Sequence, residues 1–397
     1  MHLHSPKSDR FNNIGLRTVL IMTVASGVTI ANGYYNQPLL AQIGRSFSVS
    51  VQEVGLVPTF SQIGIALGVC LLLPLGDIVE CRRLMVIMLG ATTCALVAAA
   101  MAPNIHWLYA ASLLTGFTTL VPYLIPPLAA HLAAPHERGR IIGTVVSGIF
   151  FGILLARTVS GFVGASFGWR AMYWIASILM IGTALILSKF LPKRLPVSTM
   201  SYWQLLRSLC SLIWQQPRLR QAAMMQALVF GTFNAFWTTL IFLLETPPYH
   251  YGAQAAGLFG LVGVVGASIA PLVGRLADRK DTRFTLGLAI AITISSWFVL
   301  GLFGHQLLGL IVGVTLLDIG VQSSHISNQA LIFSLLPDAR SRANTVYVVT
   351  CFIGAAVGSS LGAYSWSVWQ WHGVCVFGFS MSILAAIIYV TGRQGLE

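Results

Sequence analysis

The sequence predicts an all-α integral membrane protein: twelve transmembrane helices in two pseudo-symmetric six-helix bundles. Three observations predict it. Only 9% of the 397 residues are charged and 56% are hydrophobic, whereas a soluble domain carries about 25% charged residues. Apolar runs recur at close to the ~20 residues needed to cross a bilayer. Their interruption by Gly and Pro favours helices over the short alternating segments of an outer-membrane barrel. Finally, the chain repeats itself at an offset of about 201–202 residues: PHERGR (135–140) against PDARSR (337–342), Asp77 against Asp278, Gly152 against Gly354, Trp169 against Trp371 and Asn32 against Asn234. Each half begins on the same side, so the repeats are parallel.

The spans fall at roughly 16–38, 54–76, 84–102, 107–131, 141–164, 170–190, 219–244, 254–276, 284–303, 306–332, 343–364 and 371–391, with ends good to a few residues. The predicted division is an N-terminal bundle over 1–190, a linker over 191–218 and a C-terminal bundle over 219–397. The linker is basic and bounded by prolines. Its middle, Tyr202 to Trp214, puts Leu205, Leu206, Leu209, Leu212 and Ile213 on one side, either a helix lying on the membrane interface or a plain soluble linker helix.

The net charge of +12 is set by topology. With the N-terminus inside, cytoplasmic segments hold 20 of the 23 basic residues; Arg45 and Arg170 lie outside and Arg157 within a span. That asymmetry, repeated loop after loop, places both termini in the cytoplasm and argues against nucleic-acid binding. The six cysteines form no C-x-x-C pair, so neither a metal site nor a disulfide framework is suggested. No cofactor is expected. The first span is too long for a removable signal peptide.

Polar residues inside the spans are the candidates for function. Span 1 carries ANGYYNQP (31–38), with Asn32 and Asn36 on one face, Tyr35 beside them, and Pro38 ending or bending the helix. Span 4 reads VPYLIPPLAAH, with Tyr123 and His131 among three prolines. Span 5 holds Arg157, about 12 Å from its outer end at 1.5 Å per residue. Span 7 holds Gln226, Asn234 and Trp237, then Glu245 at its outer end. Span 10 contains LLDIGVQSSHISNQ (316–329), in which Gln322, His325 and Gln329 return to the side of Asp318 and Asn328 lies nearby. Asp318 sits ~18 Å deep, where a charge costs roughly 2.5–3.5 kcal/mol on insertion scales and often marks an ion or substrate path. It is a proton or cation site, or a structural acid paired across a helix interface. His325 is a proton relay or a satisfied structural donor.

Two loops carry a D-x-x-x-x-R pattern: LPLGDIVECRR (73–83) and GRLADRKDTR (274–283). Asp77 is set near Arg82 and Arg83, and Asp278 near Arg279 and Arg283. Such clusters either join the cytoplasmic ends of neighbouring helices or cap a turn, since an acid is favoured at a helix N-terminus.

Twelve spans, two parallel halves and these loops after spans 2 and 8 resemble the major facilitator superfamily (MFS). GRLADRKDTR is similar to that family's G-x-L-a-D-R-x-G-r-R signature, with Asp281 where glycine is usual. The first copy keeps Asp77, Arg82 and Arg83 but has Leu73, Ile78, Glu80 and Cys81 at other signature positions. SGIFFGILLARTVSGFVG (147–164) resembles the glycine-rich fifth span of drug and sugar exporters, with Arg157 about where their Gly-Pro stands. The resemblance implies an MFS fold whose two loops latch one conformation and whose spans 1, 4, 7 and 10 line a central cavity. It also implies that span 5 borders span 10, so that Arg157 pairs with Asp318 in one state or receives an anionic solute group.

The expectation is a monomeric secondary active transporter of the inner membrane, working by alternating access and exporting a drug- or sugar-like solute in exchange with protons. Asp318 and His325 are the proton-coupling candidates. The substrate-cavity candidates are Asn32, Tyr35, Asn36, Tyr123, Arg157, Asn234, Trp237, Gln322, Asn328 and Gln329. A passive facilitator needs no titratable residue at mid-membrane. An integral-membrane enzyme would want clustered carboxylates or a His/Asp group, which the two Asp/Arg loops do not supply.

Overall fold

The computed structural model describes residues 15–134, 136–193, 201–263, 282–336 and 339–392, and they are helical with no strand among them. Ten helical stretches among the described residues are long and apolar enough to cross a membrane. One of them, Arg340–Thr391, is broken at Trp369 (φ −129°) and Gln370 (φ 53°) and supplies two crossings. A further helix, Ala253–Gly263, is the described part of span 8. Eleven of the twelve predicted spans are thus described in full and span 8 in part; residues 264–276 of span 8, Asp278 and Arg279 lie outside the described residues.

Span 1 is longer than predicted. Its helix Leu16–Ile30 gives way to tight turns at Ala31–Gly33 and Gln37–Leu39, then resumes over Leu40–Phe47. Pro38 has no N–H to continue the ladder, so it bends the crossing without ending it. Span 4 divides likewise into Ile105–Thr118 and Val121–Leu132. The break precedes Pro122. There the hydroxyls of Thr118 and Thr119 donate to the carbonyls of Leu114 (2.8 Å) and Thr115 (2.7 Å), and the Leu120 N–H donates to the Thr118 carbonyl (2.8 Å). Broken helices persist in a bilayer only where such bonds replace the missing ones.

Without a hydrophobic driving force between helices in lipid, close packing rests on small residues. Gly152 of span 5 (Arg138–Phe167) lies so close to span 1 that a Cβ there would run into the Gly27 backbone; Gly354 of span 11 stands likewise against the Ala227 backbone of span 7 (Pro217–Glu245). These contacts are counterparts, one in each half. Side chains such as Phe151, Ile178, Leu185 and Phe298 are more than half exposed and form the lipid-facing belt.

The bundles join along two seams. Span 2 (Val51–Asp77) packs on span 11, with Ile65, Ala66 and Val69 against Val348, Phe352 and Ala355. Span 5 packs on span 8, where Gly161 meets Gly257 and the Thr158 hydroxyl donates to the Gly257 carbonyl (2.9 Å). Span 10 was the expected neighbour of span 5; the glycine face of span 8 lies against both, Gly260 beside Arg157 and Gly263 beside Leu154 and Asp318. At the end opposite the basic loops, Arg45 of the first half meets Glu245 of the second at 2.6 Å. Every residue of span 7 from Gly231 to Leu244 is buried.

The linker helix Tyr202–Gln215 starts with a capping box between Ser201 and Gln204. Leu205 and Leu209 are buried, and Leu206 and Leu212 pack against the same apolar cluster. Ile213, expected on that face, is partly exposed, as are Trp203 and Trp214.

Gly152→Leu and Gly354→Leu should each lower the melting temperature in detergent, overpacking of this kind costing about 1–3 kcal/mol or more. Gly90→Leu, where nothing lies within 4 Å of the added carbon, should melt within a degree or two of the wild type.

Candidate functional site

Arg157 is fully buried. Span 5 delivers it to the place where span 1 has turned at Ala31–Gly33 and Gln37–Leu39. Its Nε donates to Gln37 Oε1 at 2.7 Å. Its guanidinium carbon stands 3.9 Å from the Trp237 ring centre, 5.1 Å from that of Tyr34 and 5.4 Å from that of Phe233. Trp237 and Phe233 belong to span 7, so the cation of one bundle is bedded on aromatic faces of the other. A desolvated cation–π contact contributes about 2 kcal/mol and a hydrogen bond from a charged group about 1.5–3 kcal/mol. Together these offset the roughly 2.5–3.5 kcal/mol insertion cost of the charge. The terminal nitrogens Nη1 and Nη2 have no hydrogen-bond partner among the described residues.

Asp318 points inward: it is 2% exposed, and a Cβ added at Gly263 of span 8 would lie 3.0 Å from its Oδ2. A Cβ added at Gly260, one turn earlier, would lie 3.2 Å from the Arg157 Cβ. The glycine face of span 8 thus makes room for both side chains. They form no ion pair within 4 Å among the described residues, and Oδ2 has no hydrogen-bond partner there. The expected Arg157–Asp318 bridge is therefore not made in this arrangement; Arg157 is turned to Gln37 and Trp237.

The polar residues of spans 1 and 7 bond between helices. Asn32 Nδ2 lies 3.2 Å from the Met180 sulfur, Asn36 donates to the Ser61 hydroxyl at 3.2 Å, and Asn234 Oδ1 accepts from Gln62 of span 2 at 3.2 Å. The Gln62–Asn234 bond joins the two bundles. Tyr35 is buried, and Tyr123 stands edge-on to Phe352 with its hydroxyl unpartnered among the described residues.

The stripe expected along span 10 divides. Asn328 turns to span 7, where Gln226 Oε1 accepts from Ser324 (2.7 Å) and Asn328 (3.4 Å). His325 Nδ1 shares a hydrogen bond with the Tyr347 hydroxyl (3.1 Å) and Gln329 donates to Asn344 (3.0 Å), both on span 11. Gln322 is half-buried. A helical wheel assigns a face but not the neighbour that meets it, so these bonds within the second half could not be read from spacing.

At the basic end, Arg82 donates to the carbonyls of Ser188 (3.0 Å) and Leu191 (3.2 Å) at the close of span 6 and approaches Glu80 at 3.5 Å. This is the helix terminus at which a cation is favoured. Arg83 begins span 3 beside it. Asp77 ends the short turn Leu73–Asp77. The Arg283 carbonyl accepts from the Tyr389 hydroxyl at 3.1 Å.

A groove of about 520 Å³ lies between spans 1, 5 and 6, lined by apolar side chains such as Val24, Phe151, Leu155 and Leu179. Of the expected cavity residues Tyr35 alone borders it. The site around Arg157 is distinct from this groove. Gln37, Gln62, Tyr34 and Phe233 join the site without having been singled out in the sequence. The signal for the first two was faint: an amide in an otherwise apolar crossing.

The chain matches the sequence model of the Major Facilitator Superfamily over residues 22–359 and 270–395. It is 38% identical over 380 residues to YgaY of Escherichia coli O157:H7, named an uncharacterized transporter, with 96% of each chain covered. A Helicobacter pylori (strain ATCC 700392 / 26695) protein named "probable sugar efflux transporter" is 22% identical over 359 residues, 89% of each chain. Among solved structures, a D-xylose-proton symporter superposes with a TM-score of 0.76 at 17% identity, over 94% of this chain and 96% of that one. The nucleoside transporter NupG does so with a TM-score of 0.74 at 14% identity, over 94% and 98%. Twelve crossings in two joined bundles, a buried polar centre between them and these likenesses lead to one conclusion: the chain belongs to the Major Facilitator Superfamily of transporters.

Proposed function

We propose that this transporter is a proton-coupled secondary carrier of a small organic solute, working by alternating access in the inner membrane with both termini in the cytoplasm. One observation carries the reading. Arg157 and Asp318, one from each bundle, are buried side by side along the glycine face of span 8 without forming an ion pair. Intramembrane ionisable groups facing a bundle interior mark ion and substrate paths, and a passive facilitator has no need of such groups.

In this reading the bundles, 1–190 and 219–397, rock about the solute while the linker 191–218 joins them. The Arg45–Glu245 bridge and the Gln62–Asn234 bond hold the arrangement seen here. Asp77, Arg82 and Arg83, with Asp278, Arg279 and Arg283, latch the basic end in the other. Asp318 takes the proton. His325, engaged by Tyr347, serves the packing of span 10 on span 11. The buried amides Asn32, Asn36 and Asn234, with Tyr35, Tyr123 and Trp237, surround the solute. The Helicobacter pylori relative is named for sugar efflux, and the name of the neighbouring D-xylose-proton symporter supports a proton as the coupling ion.

A solute screen in reconstituted vesicles tests this. Flux of the solute found should follow an imposed pH gradient in the wild type and in His325→Gln. Asp318→Asn should exchange solute across the membrane but lose gradient-driven accumulation by at least about tenfold. Wild-type flux indifferent to the pH gradient would overturn proton coupling.

A double-mutant cycle of Gln62→Ala and Asn234→Ala, read by thermal unfolding in detergent, should give a coupling of about 0.6–1.7 kcal/mol, the range of interhelical hydrogen bonds in membrane proteins.

A further inference from the structure

We propose that the Arg157 site receives the negatively charged group of the solute, so that the cargo is an organic anion (carboxylate, sulfonate or phosphate monoester), and that anion and proton bind together. The inference rests on the carrier reading and adds the substrate class and the sense of its coupling.

The first ground is the donor set. Arg157 is fully buried, Gln37 occupies its Nε and Trp237 covers its face. Left over is the edge carrying Nη1 and Nη2, the pair of nitrogens that grips a carboxylate or phosphate with two parallel bonds. Gln37 Nε2 and Trp237 Nε1 are also buried donors without a partner among the described residues. Four free N–H donors thus gather at Arg157, while free acceptors stand on neighbouring residues: Asp318 Oδ2 and the amide oxygens Asn32 Oδ1, Asn36 Oδ1 and Gln62 Oε1. The guanidinium edge and its two neighbouring donors form one N–H set. An anion, which only accepts, matches it well.

The second ground is charge balance. Arg157 on span 5 and Asp318 border the same glycine face of span 8, at Gly260 and Gly263. Tyr34 on span 1 is the titratable group beside Arg157. The described parts of spans 7, 8 and 9 carry no Asp, Glu, Lys, Arg or His away from their ends. On span 10 itself His325 lies two turns off and is bonded to Tyr347. One cation therefore faces one acid. When a solute anion takes the guanidinium, the Asp318 carboxylate is left as a second, uncompensated buried charge, and protonation relieves it. Each anion bound brings one proton onto Asp318. Solute and proton then travel in the same direction, the opposite of the exchange implied by the likeness to exporters.

The test uses the purified full chain in detergent, with benzoate as the probe and benzyl alcohol as its neutral counterpart, followed by calorimetry and tryptophan fluorescence. The expected result is benzoate binding at least tenfold tighter than benzyl alcohol, with uptake of one proton per benzoate in weakly buffered solution and an affinity that falls as pH rises. Arg157→Gln should weaken benzoate at least tenfold, with Arg157→Lys between it and the wild type. Asp318→Asn should keep benzoate bound and abolish the proton uptake. Equal binding of the two probes, no binding of benzoate, or an Arg157→Gln protein that melts like the wild type and binds benzoate unchanged would each overturn the proposal. Should Arg157→Gln not fold, the ratio of the two probes and the proton uptake decide. Because these readouts need no flux, absence of transport in vesicles would count against the carrier reading alone. PH-driven transport of a neutral solute that survives Arg157→Gln would overturn the anion proposal and leave the carrier intact.

Discussion

A single positive charge, set at the centre of a membrane protein where hydrocarbon surrounds the helices, organises what lies around it. Arg157 cannot be neutralised by deprotonation, since a guanidinium stays charged in proteins. The structure must therefore solvate it with protein groups. Span 1 breaks its helix beside it and offers Gln37; span 7 turns the faces of Trp237 and Phe233 toward it; span 10 places Asp318 along the same glycine face of span 8. Three helices from two bundles are committed to one side chain, and the polar residues of the interior are arranged around it.

That arrangement depends on how closely backbones can approach. Span 8 meets span 5 through Gly257 and Gly161, and the same helix leaves space at Gly260 and Gly263 for the side chains of Arg157 and Asp318. Larger residues there would move span 8 away and separate the two groups. Within each half the corresponding contacts, Gly152 on Gly27 and Gly354 on Ala227, hold span 5 on span 1 and span 11 on span 7. The bundles are built alike because the same backbone approach recurs in both copies of the repeat.

Much of this was legible in the amino-acid sequence, for physical reasons. Burial in lipid requires long apolar runs, so the crossings were visible, and Pro38 and Pro122 announced breaks in spans 1 and 4, whereas Pro126 and Pro127, also expected to interrupt span 4, lie inside the helix Val121–Leu132. Asp318 stood out because its cost in hydrocarbon requires an interior neighbour. What could not be read was the identity of neighbours. Helical periodicity placed Gln322, His325 and Gln329 on the side of Asp318. It did not say that His325 would meet Tyr347, that Asn328 would turn to Gln226, or that span 5 would lie on span 8. Span ends were also misjudged where apolar character fades before the helix does, as in span 1, which continues to Phe47. Gln62 passed unnoticed because one amide among apolar residues carries meaning only once Asn234 is found opposite.

The linker helix touches both halves at once. Its Tyr202 hydroxyl donates to the Leu71 carbonyl at the end of span 2, while Leu209 packs in the cluster that includes Tyr347 and Phe352 of span 11. A helix tied to both sides of a seam is a clasp: when the halves part on that face, one of its two attachments must give way. The tether that keeps the bundles in one chain is thereby also a brace across their seam, with Trp203 and Trp214 facing away from the protein.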